Sequence, residues 1–302
     1  MLSVPFALGA LLALAAATGW AAQYVLIRVG TEHGRVSDAV LVALGVNVAV
    51  LVPAAAVVHY PEYGLTPRAL VAFGGAGIAG SLFGRLFQFR SIDAIGATRT
   101  APVVSSTALV SAVFAVALLG ETLSPLHLVG IVLIVIGVAV ISWETASDAD
   151  PDASFREIGL ALVLPLLAAL AYGIEPILVR WGFVEGTPVL VAVAVMSVAA
   201  AIGYSVHLLR RGAWPSRSEL RTEPFRWYLW AGVASTVSLT LYFAALEIAP
   251  VVIVVPIIQV APLLVAAFSF AFLPRRLERV TPRLVAAAAI VVVGATIVSL
   301  SG

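Results

Sequence analysis

The chain has 302 residues, of which 62% are hydrophobic and 11% are charged. Soluble domains contain about 45–50% apolar and about 25% charged residues, so this composition excludes a soluble protein and indicates an integral membrane protein. The net charge of +1 gives no basic field that would attract nucleic acid, and the absence of cysteine excludes disulfides and thiolate metal sites.

Ten apolar stretches are long enough to cross a membrane, for which a helix needs about 20 residues. In chain order they occupy residues 4–27, 38–58, 68–89, 95–119, 125–143, 158–179, 188–209, 225–246, 251–273 and 282–300. The first stretch lacks a basic start and is too long for a signal peptide, so we interpret it as a membrane helix. Backbone groups in hydrocarbon must be satisfied within their own segment, so we predict an all-α membrane protein with ten transmembrane helices.

The second half of the chain repeats the pattern of the first. The equivalent positions are Trp20 with Tyr172, Gln23 with Glu175, Arg28 with Arg180, Gly30 with Gly182, Phe89 with Phe243, Asp93 with Glu247, Pro102 with Pro256, Pro125 with Pro282 and Gly137 with Gly294. We therefore divide the chain into a first five-helix repeat (1–143), an acidic linker (144–157) and a second five-helix repeat (158–302). Because each repeat has an odd number of spans, we expect the second to be inverted in the membrane, as in many alternating-access carriers.

Glu175, in the middle of the sixth span, is the strongest functional candidate, because an ionisable residue at membrane depth is costly. Tyr172 lies one turn earlier on the same helix face, and Pro176 leaves the carbonyl of Tyr172 without its usual donor. We interpret Glu175 as a proton-coupling or substrate-amine site. The alternative is a structural ion pair with an arginine in the cavity.

Two arginines are candidates for binding an anionic group. Arg85 shares a face of the third span with Gln88, and Arg99 lies early in the fourth span. If these arginines face inward, each can bind a carboxylate or phosphate through two parallel hydrogen bonds. If they lie near an interface, they extend to water instead.

The remaining polar and aromatic side chains inside the spans complete a plausible lining. They are Trp20, Gln23, Tyr24, Asn47, Tyr242 and Gln259. Each of them is equally compatible with a hydrogen bond between helices, but the equivalence of Gln23 and Glu175 favours a shared site for that pair.

Glycine and proline predict close packing and bending. Gly80 and Gly84 form a flat strip on the third span, which we expect to pack against another helix of the same chain. Pro102 and Pro256 form a symmetric pair inside the fourth and ninth spans, with Pro262 added in the ninth. A proline at membrane depth frees a carbonyl and kinks the helix, so these positions are candidate hinges, with a static kink as the alternative.

The arginines are distributed unevenly between the two predicted membrane faces. One face collects Arg28, Arg35, Arg90, Arg156, Arg210, Arg211, Arg217, Arg221, Arg226, Arg275, Arg276, Arg279 and Arg283, and the other has little beyond Arg68 and Arg180. The positive-inside rule would place the first face in the cytoplasm and both termini outside. Arg28 and Arg180 occupy equivalent span ends, and we interpret both as interface anchors.

Enzyme signatures are missing from the sequence. It contains neither a His-Glu-x-x-His motif nor a glycine-rich phosphate loop ending in lysine, and its histidines (33, 59, 127 and 207) are scattered. We predict no catalytic residues, no metal site and no cofactor.

Three local patterns accompany the repeat. Trp20 is followed by Arg28 in the first span, residues 119–124 read Leu-Gly-Glu-Thr-Leu-Ser, and the fifth span contains Gly130 and Gly137. Together they resemble the EamA-type members of the drug/metabolite transporter superfamily. That resemblance implies a carrier with two five-helix repeats and ten spans.

The second copy departs from this pattern. Pro274, Arg275 and Arg276 stand where the family has its Gly-Glu loop, so only Glu121 of the first half matches that acidic position, where a structural role is expected. The family usually has both termini in the cytoplasm, which disagrees with the arginine distribution and leaves orientation open.

We predict a multi-pass carrier of the plasma membrane that moves a small polar metabolite or a drug by alternating access, with protons as a candidate coupling ion. Two cationic groups and one carboxylate suit an amino acid or organic acid. The alternatives are a nucleotide-sugar or phosphorylated-solute exchanger and an intramembrane enzyme acting on lipid. The expected partners are the solute and the lipid bilayer, not nucleic acid, and a monomer is sufficient because ten helices can enclose a site.

Overall fold

The computed structural model describes residues 4–119, 125–147, 155–215, 223–248, 254, 257–258, 260–274, 277 and 280–300. The helices are α1 (Val4–Thr31), α2 (Val36–Val58), α3 (Pro67–Ala76), a π-helical segment (Gly77–Gly84), α4 (Arg85–Ile95), α5 (Ala97–Val104), α6 (Thr107–Leu119), α7 (Pro125–Ser147), α8 (Phe155–Phe183), α9 (Val189–Arg210), α10 (Glu223–Ile248), α11 (Ala261–Phe272) and α12 (Pro282–Leu300). The regular secondary structure within the described ranges is entirely helical, which confirms the predicted class.

Within the described ranges, six helical stretches have the length and composition to cross a membrane, and three further apolar helices are shorter. The long ones are Leu8–Thr31, Val36–Val58, Pro67–Ile95, Val163–Phe183, Val189–Arg210 and Glu223–Ile248, and the shorter ones are Leu128–Ile141, Ala261–Phe272 and Pro282–Gly294. The chain is therefore an all-helical, multi-pass membrane protein. Half of the acidic linker (148–154) and the loop that contains Glu121 lie outside the described residues.

The third span joins α3, the π-helical segment and α4 into one helix that ends six residues later than the sequence predicted, at Ile95 rather than Phe89. Thr66 caps its start by accepting a hydrogen bond from the Ala69 N–H at 3.1 Å, and Pro67 is favourable at the first helical position. Gly96 ends it with φ of 86°, a conformation that glycine adopts without strain.

The fourth span is not the continuous helix that the sequence predicted. It is divided into α5 and α6 by a turn at Ser105 and Ser106. The Ser105 hydroxyl donates to the carbonyl of Ala101 at 3.2 Å, and the Ser106 hydroxyl donates to that of Val103 at 2.6 Å. Serine side chains that bond to nearby carbonyls compete with the helix, which explains an interruption at this pair.

The three candidate hinge prolines differ in how their positions compare with the prediction. Pro102 lies inside α5, three residues before the turn, as expected. Pro262 was predicted inside a span but is the second residue of α11, where its missing N–H costs nothing because helix starts have no acceptor for it. Pro256 lies outside the described residues.

The main contacts between helices follow the repeat. When each helix is replaced by its equivalent in the other repeat, the same pairs of helices are obtained. α1 packs against α10 as α8 packs against the third span, whereas α2 with α9 and α7 with α12 are pairs of equivalent helices. At the last pair, Gly137 and Gly294 allow close approach in both directions. A Cβ at Gly294 would lie 2.7 Å from the carbonyl of Gly130, and one at Gly137 would lie 2.9 Å from that of Ala287.

Contacts along the helices give the directions of α1 and α2 relative to α10. α1 runs antiparallel to α10, because Gly19 lies against Ser238 and Gly30 against Tyr228. α2 runs parallel to α10, since Val46 lies against Gly232, and Asn47 bonds to Thr236 one turn further along.

Further contacts give the directions of α8, α9 and the third span. Tyr204 near the end of α9 donates to the carbonyl of Ser37 at the start of α2 at 3.0 Å, so α2 and α9 are antiparallel. The third span runs parallel to α9, with Gly77 against Met196 and Leu82 against Gly203, and antiparallel to α8. It follows that each helix of the second repeat runs opposite to its equivalent in the first: α8 to α1, α9 to α2, and α10 to the third span.

These directions define two membrane faces. The arginine-rich face contains the ends of α1, α4 and α9 and the starts of α2 and α10. The arginines at these helix ends are Arg28, Arg35, Arg90, Arg210, Arg211 and Arg226, whereas Arg68 and Arg180 lie at the opposite face.

Candidate functional site

Glu175 lies at the centre of the helix assembly, directly against the third span. It is 8% exposed, and its carboxylate rests on Gly80, where an added Cβ would overlap it. One turn along, the ring of Tyr172 occupies the space at Gly84, where an added Cβ would lie 2.7 Å from the ring. The glycine strip therefore packs against α8 within the same chain, as the sequence predicts, and it fixes the depth of both side chains.

Arg85 begins α4 and is 5% exposed. Its Nη2 donates to the hydroxyl of Ser235 at 2.8 Å. The Asn47 amide is assigned with its oxygen towards Arg85, because only that orientation satisfies both amide atoms, and this oxygen then accepts from Nη1 and Nη2 at 3.2 Å. The Asn47 nitrogen then donates to Thr236, so the guanidinium is held by neutral groups of α2 and α10.

Glu175 and Arg85 are close enough to interact electrostatically, but they do not form an ion pair within 4.0 Å. No side chain in the described ranges donates a hydrogen bond to Glu175. The structural ion pair, which was the alternative interpretation of Glu175, is therefore not formed in this conformation. An acidic and a basic group thus lie buried near each other, and Glu175 has no side-chain partner among the described residues.

A hydrogen-bonded group of α8 and α4 lies beside this pair. The Tyr172 hydroxyl donates to Oε1 of Gln88, which is 5% exposed. Tyr24 of α1 lies within interaction range of both Gln88 and Tyr172. The interaction places a tyrosine from the first repeat next to the polar pair formed by Tyr172 and Gln88.

The repeat-equivalent positions on α1 and α10 make a matching contact. The rings of Trp20 and Tyr242 meet edge to face with centroids 5.3 Å apart, and Tyr242 is also close enough to interact with Glu175. Gln23 lies one turn beyond Trp20, is 3% exposed, and its Nε2 has no hydrogen-bond partner among the described residues. A buried donor without a partner requires an explanation, and a bound solute or water would provide one.

The structure does not bring every predicted site residue together. Arg99 is the third residue of α5, close to the arginine-rich face, and is not among the groups that interact with Glu175. Gln259 lies outside the described residues. Within the described ranges, no group of histidine, aspartate or glutamate could hold a metal ion.

Arg28 corrects a prediction. It was expected to be an interface anchor, but it is half-buried and bonds to backbone carbonyls of the third span and of the segment between α11 and α12. Ser235 and Thr236, which hold Arg85 and Asn47, were not predicted as site residues. The sequence does show that Ser235 shares a helix face with Tyr242, which could have indicated a site residue. No local pattern identifies Arg85 of the third span as the partner of Ser235.

Comparisons with known proteins agree with this architecture. The model of the EamA-like transporter family matches residues 7–143 and again residues 159–300. A solved structure titled only as the crystal structure of a protein is 18% identical, with a TM-score of 0.64, and the match covers 96% of this chain and 95% of that one. At this identity the likeness shows the fold alone. No curated protein matches the chain.

Proposed function

The chain belongs to the EamA-like transporter family of the drug/metabolite transporter superfamily, and from this premise we propose that it moves its solute by alternating access around the buried pair of Glu175 and Arg85. Members of the family are transporters, so a small-molecule substrate and a membrane environment follow from membership. The proposal comprises ten spans, arranged as inverted repeats 1–143 and 158–302 that the linker 144–157 joins, in the plasma membrane.

One observation supports the solute class. Two buried groups of opposite charge lie within electrostatic range without contact, although an uncompensated buried charge is strongly unfavourable. A small zwitterion or organic acid that reaches both groups would compensate both charges. Its carboxylate would bind Arg85, and its amine would bind Glu175.

Glu175 is also the group proposed to couple transport to protons. A carboxylate can be neutralised by a proton when the cavity is empty and can release it when a cationic group binds. Gln23, its repeat equivalent, cannot do this. Two equivalent contacts, the aromatic pair of Trp20 with Tyr242 and the hydrogen bond of Tyr172 to Gln88, each join the two repeats and would close around the solute.

The hinges belong to the fourth and ninth spans. The turn at Ser106 and the turn at Val260 are at equivalent positions, with the same offset as Pro102 and Pro256. Discontinuous helices at equivalent positions of two repeats are common at transporter binding sites. We propose that both spans bend at these turns during transport, with Pro102, Pro256 and Pro262 next to them.

A nucleotide-sugar or phosphorylated solute has less support. Such an anion needs more than one cation in the cavity, and the second candidate, Arg99, lies near the arginine-rich face. A single chain supplies every group of the proposed site, so a monomer is sufficient for transport.

The proposal is tested with purified protein in two steps. Amino acids, organic acids, organic amines and phosphorylated metabolites are first screened for an increase in melting temperature, because a ligand that binds only the folded state stabilises it. Uptake of the stabilising solute is then measured in proteoliposomes with and without a pH gradient.

Glu175→Gln is compared with Glu223→Gln, which removes an exposed carboxylate at the start of α10. We expect wild type and Glu223→Gln to respond to the gradient and Glu175→Gln to lose that response. Gradient-driven uptake that persists in Glu175→Gln would remove Glu175 from the mechanism. Stabilisation by phosphorylated metabolites alone would contradict the solute class.

A further inference from the structure

Arg28 joins the end of α1 to two other segments at the arginine-rich face. Its Nε and Nη2 donate to the carbonyl of Leu277 at 3.1 and 2.9 Å, and its Nη1 donates to the carbonyls of Asp93 at 3.0 Å and Ile92 at 3.4 Å. Ile92 and Asp93 belong to the last turn of α4, where unpaired carbonyls carry partial negative charge. One guanidinium thus fastens α1 to the third span and to the segment between α11 and α12.

The repeat equivalent of Arg28 makes no such contacts. Arg180 is exposed near the end of α8 and has no hydrogen bond to the described residues. The repeat equivalents of Ile92 and Asp93 are Leu246 and Glu247, in the last turns of α10. Arg180 does not bond to the carbonyl of either residue. The acceptor equivalent to Leu277, at position 120, lies outside the described residues.

Helix packing has the same asymmetry as the two arginines. The end of α1 packs against α4 along the backbone, whereas their equivalents, α8 and the second half of α10, lie further apart and meet mainly through the rings of Phe183 and Phe243, whose centroids are 6.1 Å apart. The arginine-rich face is therefore packed more closely between these spans than the opposite face is between the equivalent spans. In a carrier made of inverted repeats, the second state is obtained when the two repeats exchange conformations.

We infer that Arg28 and Arg180 are reciprocal gating residues of this transporter. Arg28 holds the arginine-rich face closed in the conformation described. In the opposite conformation Arg28 is released, and Arg180 bonds to the carbonyls of Leu246 and Glu247 to close the other face. This inference rests on the proposed alternation, and it assigns each arginine to one of the two states.

Removal of Arg28 and removal of Arg180 must shift the equilibrium between the two states in opposite directions. A ligand or contact changes a two-state ratio only by its differential contribution to the two states. Hydrogen bonds from a charged donor make that contribution large, so loss of one gating arginine is expected to change the ratio about ten- to a hundredfold. Loss of both returns the ratio towards that of the wild type.

The cysteine-free chain allows a direct measurement of the closed face. Thr31, in the last turn of α1, is 7% exposed beside Arg28, and Thr31→Cys places a single thiol inside the closed contact. The rate at which a maleimide modifies this thiol in detergent-solubilised full-length protein reports how often the face opens. The reporter is retained only if its uptake matches that of the wild type.

We expect Arg28→Gln to raise the modification rate about ten- to a hundredfold, Arg28→Lys to raise it less, and Arg180→Gln to lower it. Arg90→Gln is the matched control, because Arg90 is exposed on the same face and its loss changes the same net charge. Since Arg180 is exposed, its variant should fold even if Arg28→Gln does not.

Rates that rise or remain unchanged in Arg180→Gln overturn the inference, because a merely structural arginine would not slow the opening of the distant face. If this occurs while uptake still requires Glu175, the carrier proposal is unaffected. Wild-type protein that neither binds nor transports any solute class would contradict the carrier proposal instead.

Discussion

The two arms of the candidate site are built from equivalent positions but differ in charge. The first arm joins α1 to α10, and the second joins α8 to the third span. With the offset between Phe89 and Phe243 extended along their spans, the equivalent pairs are Trp20 with Tyr172, Gln23 with Glu175, Ala234 with Gly80, Leu239 with Arg85, and Tyr242 with Gln88. The aromatic contact at the first arm, Trp20 with Tyr242, corresponds to the hydrogen bond from Tyr172 to Gln88 at the second.

The comparison separates what the scaffold requires from what the site requires. Leu239 and Gln23 occupy the same places as Arg85 and Glu175 and carry no charge, yet their helices pack in the same way. The charges are therefore not needed for this type of helix packing. A residue replaced by its repeat equivalent should change function while the scaffold remains. Three of the following four variants apply that replacement, and all four are given in order of expected effect.

Arg85→Leu gives the second arm the residue of the first and should have the largest effect. Loss of one partner from a buried charged contact costs about 2–5 kcal/mol of binding free energy, so the dissociation constant of the solute should rise at least about 30-fold. Isothermal titration measures it. Leucine buries no charge, so the melting temperature should not fall by more than a few degrees. Unchanged affinity would exclude Arg85 from the site.

Gly80→Ala introduces the residue of Ala234 and tests the position of Glu175. The added methyl group overlaps the carboxylate, so overpacking should destabilise the protein by about 1–3 kcal/mol and weaken proton-coupled uptake. Thermal melting and uptake are compared with Gly74→Ala, where the added group meets nothing within 4 Å. Equal effects of the two variants would show that the contact between Gly80 and Glu175 is not required.

Asn47→Leu removes an acceptor of Arg85 without changing any charge. We expect solute affinity to fall about tenfold, which corresponds to one hydrogen bond to a charged group. Asn47→Asp retains an acceptor for Arg85 and should restore affinity in part. If both variants bind as the wild type does, the orientation of Arg85 does not depend on Asn47.

Trp20→Tyr gives the first arm the aromatic residue of the second and should have the smallest effect. Tyrosine keeps an edge-to-face partner for Tyr242, so affinity should change by less than about threefold. Trp20→Ala, which removes the contact, should cost about 3 kcal/mol of stability. Solute affinity is measured for both variants. A larger loss of affinity in Trp20→Tyr than in Trp20→Ala would contradict a purely aromatic role.

Several features of the fold follow from local sequence alone. The apolar stretches predicted an all-helical membrane protein, and the spacing of Trp20 and Arg28 against Tyr172 and Arg180 predicted the two family repeats that the comparisons confirm. The Gly80 and Gly84 strip was predicted to pack within the chain, and it does. These predictions succeed because hydrophobic length and small-residue spacing act within one helix.

Two other predictions failed, one because of local hydrogen bonds and one because of contacts between distant segments. The turn at Ser105 and Ser106 interrupts an apolar stretch that reads as one helix, because side-chain hydroxyls bond to its carbonyls. Arg28 was expected to anchor its helix at the lipid interface, but carbonyls of the third span and of the segment between α11 and α12 bind it. The solute, the coupling ion, the hinges and the membrane orientation remain predictions.

The sequence by itself determined that this protein is a duplicated helical bundle in lipid with a few polar groups at depth, since burial cost and helix length depend only on residue type and count. Only the tertiary structure decided which polar groups meet. Contacts between Glu175 and Gly80, and between Arg85 and Asn47, join residues far apart in the chain, and their distances depend on how helices of opposite direction are packed.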